Sequence, residues 1–193
     1  MAARVRPFVL RRTKTMVLPE LPPKTERVLP VPLSDGEAAL YEAIRQEALA
    51  AMTDQTDALT VLGWLTRLRL ACCHPALAGG DGLPSSKAAA FAELVAALRD
   101  GGHRALVFSQ FVRHLDLVRA QLDDLGIRYQ YLDGATPTAD RQAAIDRFEG
   151  GDGELFLISL KAGGTGLNLS SADHVIHLDP WWNPAVEDQA SDR

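Results

Sequence analysis

From residue 85 onward, short apolar runs alternate with longer stretches whose apolar residues recur every three or four positions. The runs Arg104–Ser109 (RALVFS), Ile127–Leu132, Glu154–Ser159 (ELFLIS) and His174–Leu178 (HVIHL) are strand-length and largely apolar, the pattern of strands buried on both faces. Between them, Phe91, Leu94, Val95 and Leu98 share one helical face, opened by Ser85/Ser86 and stopped by Gly101-Gly102. Phe111, Leu115, Val118, Leu122 and Leu125 share the inward face of a second helix, closed by Gly126. A third is expected to start with Thr136 as N-cap and Pro137 at the first helical position, run to Phe148 and stop at Gly150-Gly151. A last helix starts near Pro184. Strands alternating with helices of this length predict an α/β fold with a mainly parallel sheet and helices on both faces. Ligands of such sheets sit at the carboxyl ends of the strands. The segments SQF, LDGAT, SLKAGGTGLN and DPWWNP all follow strand ends, so one edge of the sheet is the candidate functional surface.

The chain before residue 83 is different. Pro7, Pro19, Pro22, Pro23, Pro30 and Pro32 forbid long helices and favour an extended connection, so residues 1–33 read as an arm. Ser34-Asp35-Gly36-Glu37 is a capping-box pattern that opens a helix carrying Leu40 and Ile44. A second helix, roughly 58–72, carries Leu59, Leu62, Leu65, Leu68 and Leu70 and ends before Pro75. Gly79-Gly80-Asp81-Gly82 is the expected boundary. Three parts result: a basic, Pro-rich arm (1–33), a helical segment (34–82) and an α/β domain (83–193).

Composition narrows the class. At 47% hydrophobic and 23% charged the chain is ordinary globular material. No apolar run approaches the ~20 residues of a membrane helix, and the basic N-terminus has no apolar core of a secretory signal behind it, so an intracellular protein is expected. The adjacent Cys72 and Cys73 suit neither an ordinary disulfide nor zinc-ligand spacing and read as thiols in a reducing compartment. His74, His103, His114, His174 and His177 form no HExxH or zinc cluster, and no metal ligands are expected in this chain. The net charge of −5 is uneven: residues 1–30 carry seven Lys/Arg against Glu20 and Glu26, leaving about −10 elsewhere. A basic arm on an acidic body suits contact with phosphate or an acidic partner, and equally a solvated linker.

In SLKAGGTGLN, Gly163, Gly164 and Gly166 let the backbone approach an anion closely, while Ser159, Thr165 and Lys161 add hydroxyls and a charge. The same glycines also fit an unliganded tight turn. In DPWWNP, one Trp can be buried while its neighbour cannot point the same way; an exposed one could stack on a base or sugar, and two core anchors are the alternative. Neither a Walker lysine nor a DExH-type acidic pair occurs.

Taken in order, these segments resemble one family, the Swi/Snf-related ATPases of helicase superfamily two. RPFVLRRTKTMVLPELPPKTERVLPVPLS is similar to the arm leaving that family's first motor lobe, and LTRLRLACCHPAL to the helical segment before its second. ALVFSQF resembles motif IV, YQYLDGATPTADRQAAIDRF the stretch between motifs IV and V, LISLKAGGTGLNLSSADHVIHLDPWWNP motif V and its extension, and EDQASDR the start of motif VI. The resemblance implies a second RecA-like lobe, truncated within motif VI, of an ATP-dependent double-stranded-DNA translocase. It implies that Ser109, Gln110, Ser159, Lys161, Gly163, Gly164 and Trp182 face DNA, that Gly166, Asn168, Gln189 and Arg193 face the nucleotide, and that Arg193 is catalytic. Further implications are ATP with Mg2+ held mainly by a first lobe, no hydrolysis by these 193 residues alone, and as partners duplex DNA, that first lobe and a DNA-bound protein such as RNA polymerase. Such a protein would be cytoplasmic and nucleoid-associated in a prokaryote and nuclear in a eukaryote. The alternative is a stand-alone nucleic-acid-binding or partner-docking module with no ATPase role.

Overall fold

A computed structural model describes residues 25–53, 55–163 and 169–181. The chain divides into two compact units, Met1–Pro30 and Val31–Arg193. Of the first, residues 25–30 carry no regular secondary structure. The second holds α1 (Asp35–Ala51), α2 (Ala58–Cys73), a 3-10 turn (Pro75–Ala78), α3 (Ser86–Asp100), β1 (Ala105–Ser109), α4 (Val112–Asp124), β2 (Tyr129–Leu132), α5 (Thr138–Glu149), β3 (Leu155–Ser159), the one-turn α6 (Leu160–Gly163) and β4 (His174–His177).

The four strands form one all-parallel sheet in the order β2-β3-β1-β4. All five residues of β1 and of β3 are buried, which is why both read as unbroken apolar runs: they are the central strands, covered on each face. Ala105 and Val107 join Leu155 and Leu157 against α3 and α4, through Phe91, Val95, Leu98, Leu115, Val118 and Leu122. Leu106, Phe108, Phe156 and Ile158 face the other way, against Ala144 and Phe148 of α5. The period-two alternation therefore splits each strand between two cores, and helices cover both faces as the pattern predicts. Arg104, just ahead of β1, lays its guanidinium 4.0 Å from the Phe148 ring centroid and donates to the Phe148 and Gly153 carbonyls, covering the end of α5.

A third cluster, Ile44, Ala71 and Ala78 with Leu40, Tyr41, Trp64 and Leu68, holds the helical segment together. The capping box at Ser34 is formed as expected. Gly80 is buried where a Cβ would lie 2.6 Å from Leu40, so this one glycine of the run is packed against α1.

Local expectations fail where a turn intervenes. Thr136 does not cap α5: its hydroxyl accepts from Asp133 N, Pro137 takes the N-cap position and the helix starts at Thr138. Asp133 closes the loop instead, accepting from Ala135 N and Thr136 N at 2.9 Å each. Leu125, expected inward, is 48% exposed because α4 ends at Asp124. Residues 127 and 128 precede β2 rather than pair in it.

Candidate nucleic-acid interface

Because the strands are parallel, their carboxyl ends gather at one edge. Ser109 and Ser159 are register partners at the ends of β1 and β3. Both are buried, and both hydroxyls are used internally. The Ser109 hydroxyl donates to the Asp179 carboxylate and accepts from Phe111 N at 3.1 Å, shaping the turn that carries Gln110. Gln110 N donates to the other Asp179 oxygen at 3.0 Å. Gln110 itself is half-buried. The Ser159 hydroxyl accepts from Ala162 N at 3.4 Å and so closes α6. Leu160 and Ala162 are buried on either side of exposed Lys161, which anchors that turn and leaves the ammonium in solvent. Gly163 ends α6. Gly164, Thr165, Gly166, Asn168, Trp182, Gln189 and Arg193 lie outside the described residues.

The strap that follows β4 runs beside the β1 turn. Leu178 N donates to Phe108 O at 2.9 Å, Lys87 Nζ to Leu178 O at 3.0 Å, and the Arg69 guanidinium to Pro180 O at 2.5 Å. Arg69 lies 5.6 Å from the Phe111 ring centroid and 5.8 Å from that of Trp181, within cation–π range. Trp181 is half-buried against the core on the α5 face of the sheet. Burial alone would raise the Asp179 pKa, but the neighbouring His114 imidazole, the Ser109 hydroxyl and the Gln110 N–H hold it below the usual aspartate value.

Asp179 and Arg69 are the site residues that sequence reasoning passed over. Their signals were present: a carboxylate directly after an apolar strand, and an arginine within an apolar helix. Neither has a meaning until β1, β4 and α2 are brought together. At the opposite edge, His103 and His174 flank Asp173 at 2.5 and 2.9 Å, far along the strands from the glycine-rich turns.

A parallel sheet sandwiched between helices, with polar turns at its carboxyl edge, is the architecture of a RecA-like lobe. The profile of the helicase conserved C-terminal domain matches residues 86–193, more than half the chain, and that of the SNF2-related domain matches residues 1–77. The chain belongs to the SNF2-related helicase C-terminal domain family. Among similar proteins are one from Bacillus subtilis, provisionally named an ATP-dependent helicase/translocase, 38% identical over 98% of this chain and 22% of its own length, and the Mus musculus SWI/SNF-related matrix-associated actin-dependent regulator of chromatin subfamily A member 1, 38% identical over 98% of this chain and 20% of its own. Similar solved structures include the Sulfolobus solfataricus SWI2/SNF2 ATPase C-terminal domain (31% identity, TM-score 0.72, 82% of this chain, 73% of that one). Another is the core of that ATPase in complex with double-stranded DNA (30% identity, TM-score 0.78, 99% of this chain, 42% of that one). The chain spans about a fifth of the length of the curated relatives it matches. No helix among the described residues is long and apolar enough to cross a membrane.

Proposed function

We propose that this chain is the second motor lobe of an ATP-driven duplex-DNA translocase, and that the carboxyl edge of its sheet tracks the DNA backbone. The observation that carries this is the register pairing of Ser109 with Ser159. It sets the turn bearing Gln110 beside the turn bearing exposed Lys161, with the Asp179–Trp181 strap alongside. In this proposal Gln110, Lys161 and the backbone of Gly163 and Gly164 meet phosphates. Ser109 and Ser159 act through the turns their hydroxyls hold, and Trp182 lies against the groove. Gly166, Asn168, Gln189 and Arg193 face the nucleotide, Arg193 stabilising charge that develops during phosphoryl transfer. ATP hydrolysis supplies the closing and opening of two lobes around that step.

Among the described carboxylates of this edge, Asp133 is folded into its own loop and Asp179 is buried. Neither offers the exposed, water-rich coordination that Mg2+ requires, so Mg2+ falls to the first lobe. Contacts to backbone rather than bases make the motion largely sequence-independent and salt-sensitive, with displacement of a DNA-bound protein as its output.

The test is triplex displacement by the protein in which these residues are joined to a first lobe. ATP-dependent release of a third strand without separation of the duplex is expected. ATP-independent DNA binding with no release would favour a stand-alone binding module.

A further inference from the structure

Cys73, His114 and Asp179 meet inside the molecule, at 2%, 3% and 2% exposure. They come from three elements: the last residue of α2, the first turn of α4 and the strap after β4. One potential ligand atom of each lies within 4.8 Å of the others. Thiolate, imidazole and carboxylate are the three donor types that zinc uses. No short-spacing motif announces them, because each is supplied by a different part of the chain.

His114 Nδ1 is buried and has no hydrogen-bond partner. It stands 3.7 Å from Asp179 Oδ2, too far for a hydrogen bond. The gap is near the roughly 3.3 Å that separates two ligand atoms on one tetrahedral ion with bonds of about 2.0–2.2 Å. A buried nitrogen left without a partner is costly, and a cation between it and the carboxylate supplies that partner.

The surroundings are those of a built site. The Asp179 carboxylate is oriented by the Ser109 hydroxyl and Gln110 N–H, as the carboxylates of metal sites are oriented by supporting hydrogen bonds. The nearby cations are tied elsewhere: Lys87 to Leu178 O and Arg69 to Pro180 O. A cavity of about 70 Å³ lies beside His114, lined also by His74 and Lys87.

We propose that Cys73, His114 and Asp179 bind one divalent cation of the zinc class, which clamps the helical segment to the motor lobe. Without the cation Cys73 is a thiol, its pKa pushed up to about 12 by burial and by Asp179. Binding therefore releases the thiol proton to solvent and puts a sulfur–metal bond in its place. The proposal is independent of what the lobe does with DNA or ATP.

The probe is Co2+, titrated into the chelator-treated protein and followed by absorption. A thiolate-to-cobalt charge-transfer band with tetrahedral d–d bands, saturating at one equivalent and displaced by Zn2+, is expected. Cys73→Ser should abolish the charge-transfer band and Cys72→Ser should retain it. His114→Gln should weaken Co2+ binding by more than the roughly 10–100-fold seen when a supporting contact is lost. The titration of the unaltered protein stands whether or not a variant folds. Absence of the band at stoichiometric Co2+, or a band that survives Cys73→Ser, overturns the proposal.

Discussion

Glu37 of α1 and Ser86 of α3 hold each other across forty-nine residues of sequence. Glu37 Oε1 accepts from Ser86 N at 2.9 Å, and Oε2 accepts from the Ser86 hydroxyl at 2.5 Å. The same carboxylate accepts from Ser34 N at 2.8 Å, completing the capping box of α1. One buried side chain thus satisfies unpaired N–H groups at two helix starts and ties the helical segment to the α/β domain.

Glu37→Ala should therefore cost about 2 kcal/mol, since several hydrogen bonds to a charged group go and half-buried donors are left unpaired. Urea unfolding measures it. Burial alone would raise the Glu37 pKa, but the bonds from Ser86 and Ser34 outweigh it and hold the pKa below the usual 4.5. A depressed carboxylate pKa contributes stability above its unfolded value and loses it as pH falls through the folded one. The gap between wild type and variant should thus be full at pH 7 and shrink below about pH 4.5. An equal gap at pH 7 and pH 3 would refute the linkage.

The half of the Glu37 contact that lies three residues away, at Ser34, is legible in the sequence; the half at Ser86 is not. That contrast runs through the molecule. Strands β1 and β3 announce themselves because burial on both faces leaves only apolar choices, and helix faces follow from spacing. Long-range polar contacts leave no such trace. Nothing in DPWW says that Asp179 closes the SQF turn, nor in LTRLRL that Arg69 reaches Pro180. Thr136-Pro137 looks like a helix start until the Asp133 N–H takes the Thr136 hydroxyl and the Asp133 carboxylate takes Ala135 N and Thr136 N.

Lys161→Ala and Ser109→Ala should separate touching DNA from shaping the site. Lys161 is exposed and Ser109 is buried with its hydroxyl on Asp179. In the two-lobe protein, Lys161→Ala should reduce the salt slope of DNA binding by about one and leave stability unchanged. Ser109→Ala should lower stability by about 1–2 kcal/mol and leave the slope alone. Salt-dependent fluorescence anisotropy with parallel denaturant titrations reads both. An unchanged slope in Lys161→Ala removes that residue from the phosphate contacts.

The 193 residues by themselves should show no DNA-stimulated ATPase activity. They contain no GxxxxGK[ST] loop and no DExH pair, and phosphoryl transfer depends on positioning and charge supplied from both sides of the phosphate. A coupled phosphate-release assay with and without duplex DNA decides it. Measurable turnover by the purified chain would contradict the two-lobe proposal.

The tryptophan pair should divide its labour. Trp181 packs on the core of the sheet and beside Arg69, so Trp181→Ala should destabilise the fold by about 2 kcal/mol, less than for a fully buried aromatic because Trp181 is half-buried. Trp182 is proposed to press on the DNA groove, where a flat aromatic resists slippage between backbone contacts. Trp182→Ala should keep the unfolding midpoint and DNA-stimulated hydrolysis of the two-lobe protein near wild type. Triplex displacement per ATP consumed should fall at least about tenfold, a loss of about 1.4 kcal/mol in coupling. Measured side by side, hydrolysis and displacement then separate in Trp182→Ala and decline together in Trp181→Ala. A Trp182→Ala protein that unfolds early, or that still displaces the third strand at the normal cost in ATP, would make the second tryptophan a core anchor like the first.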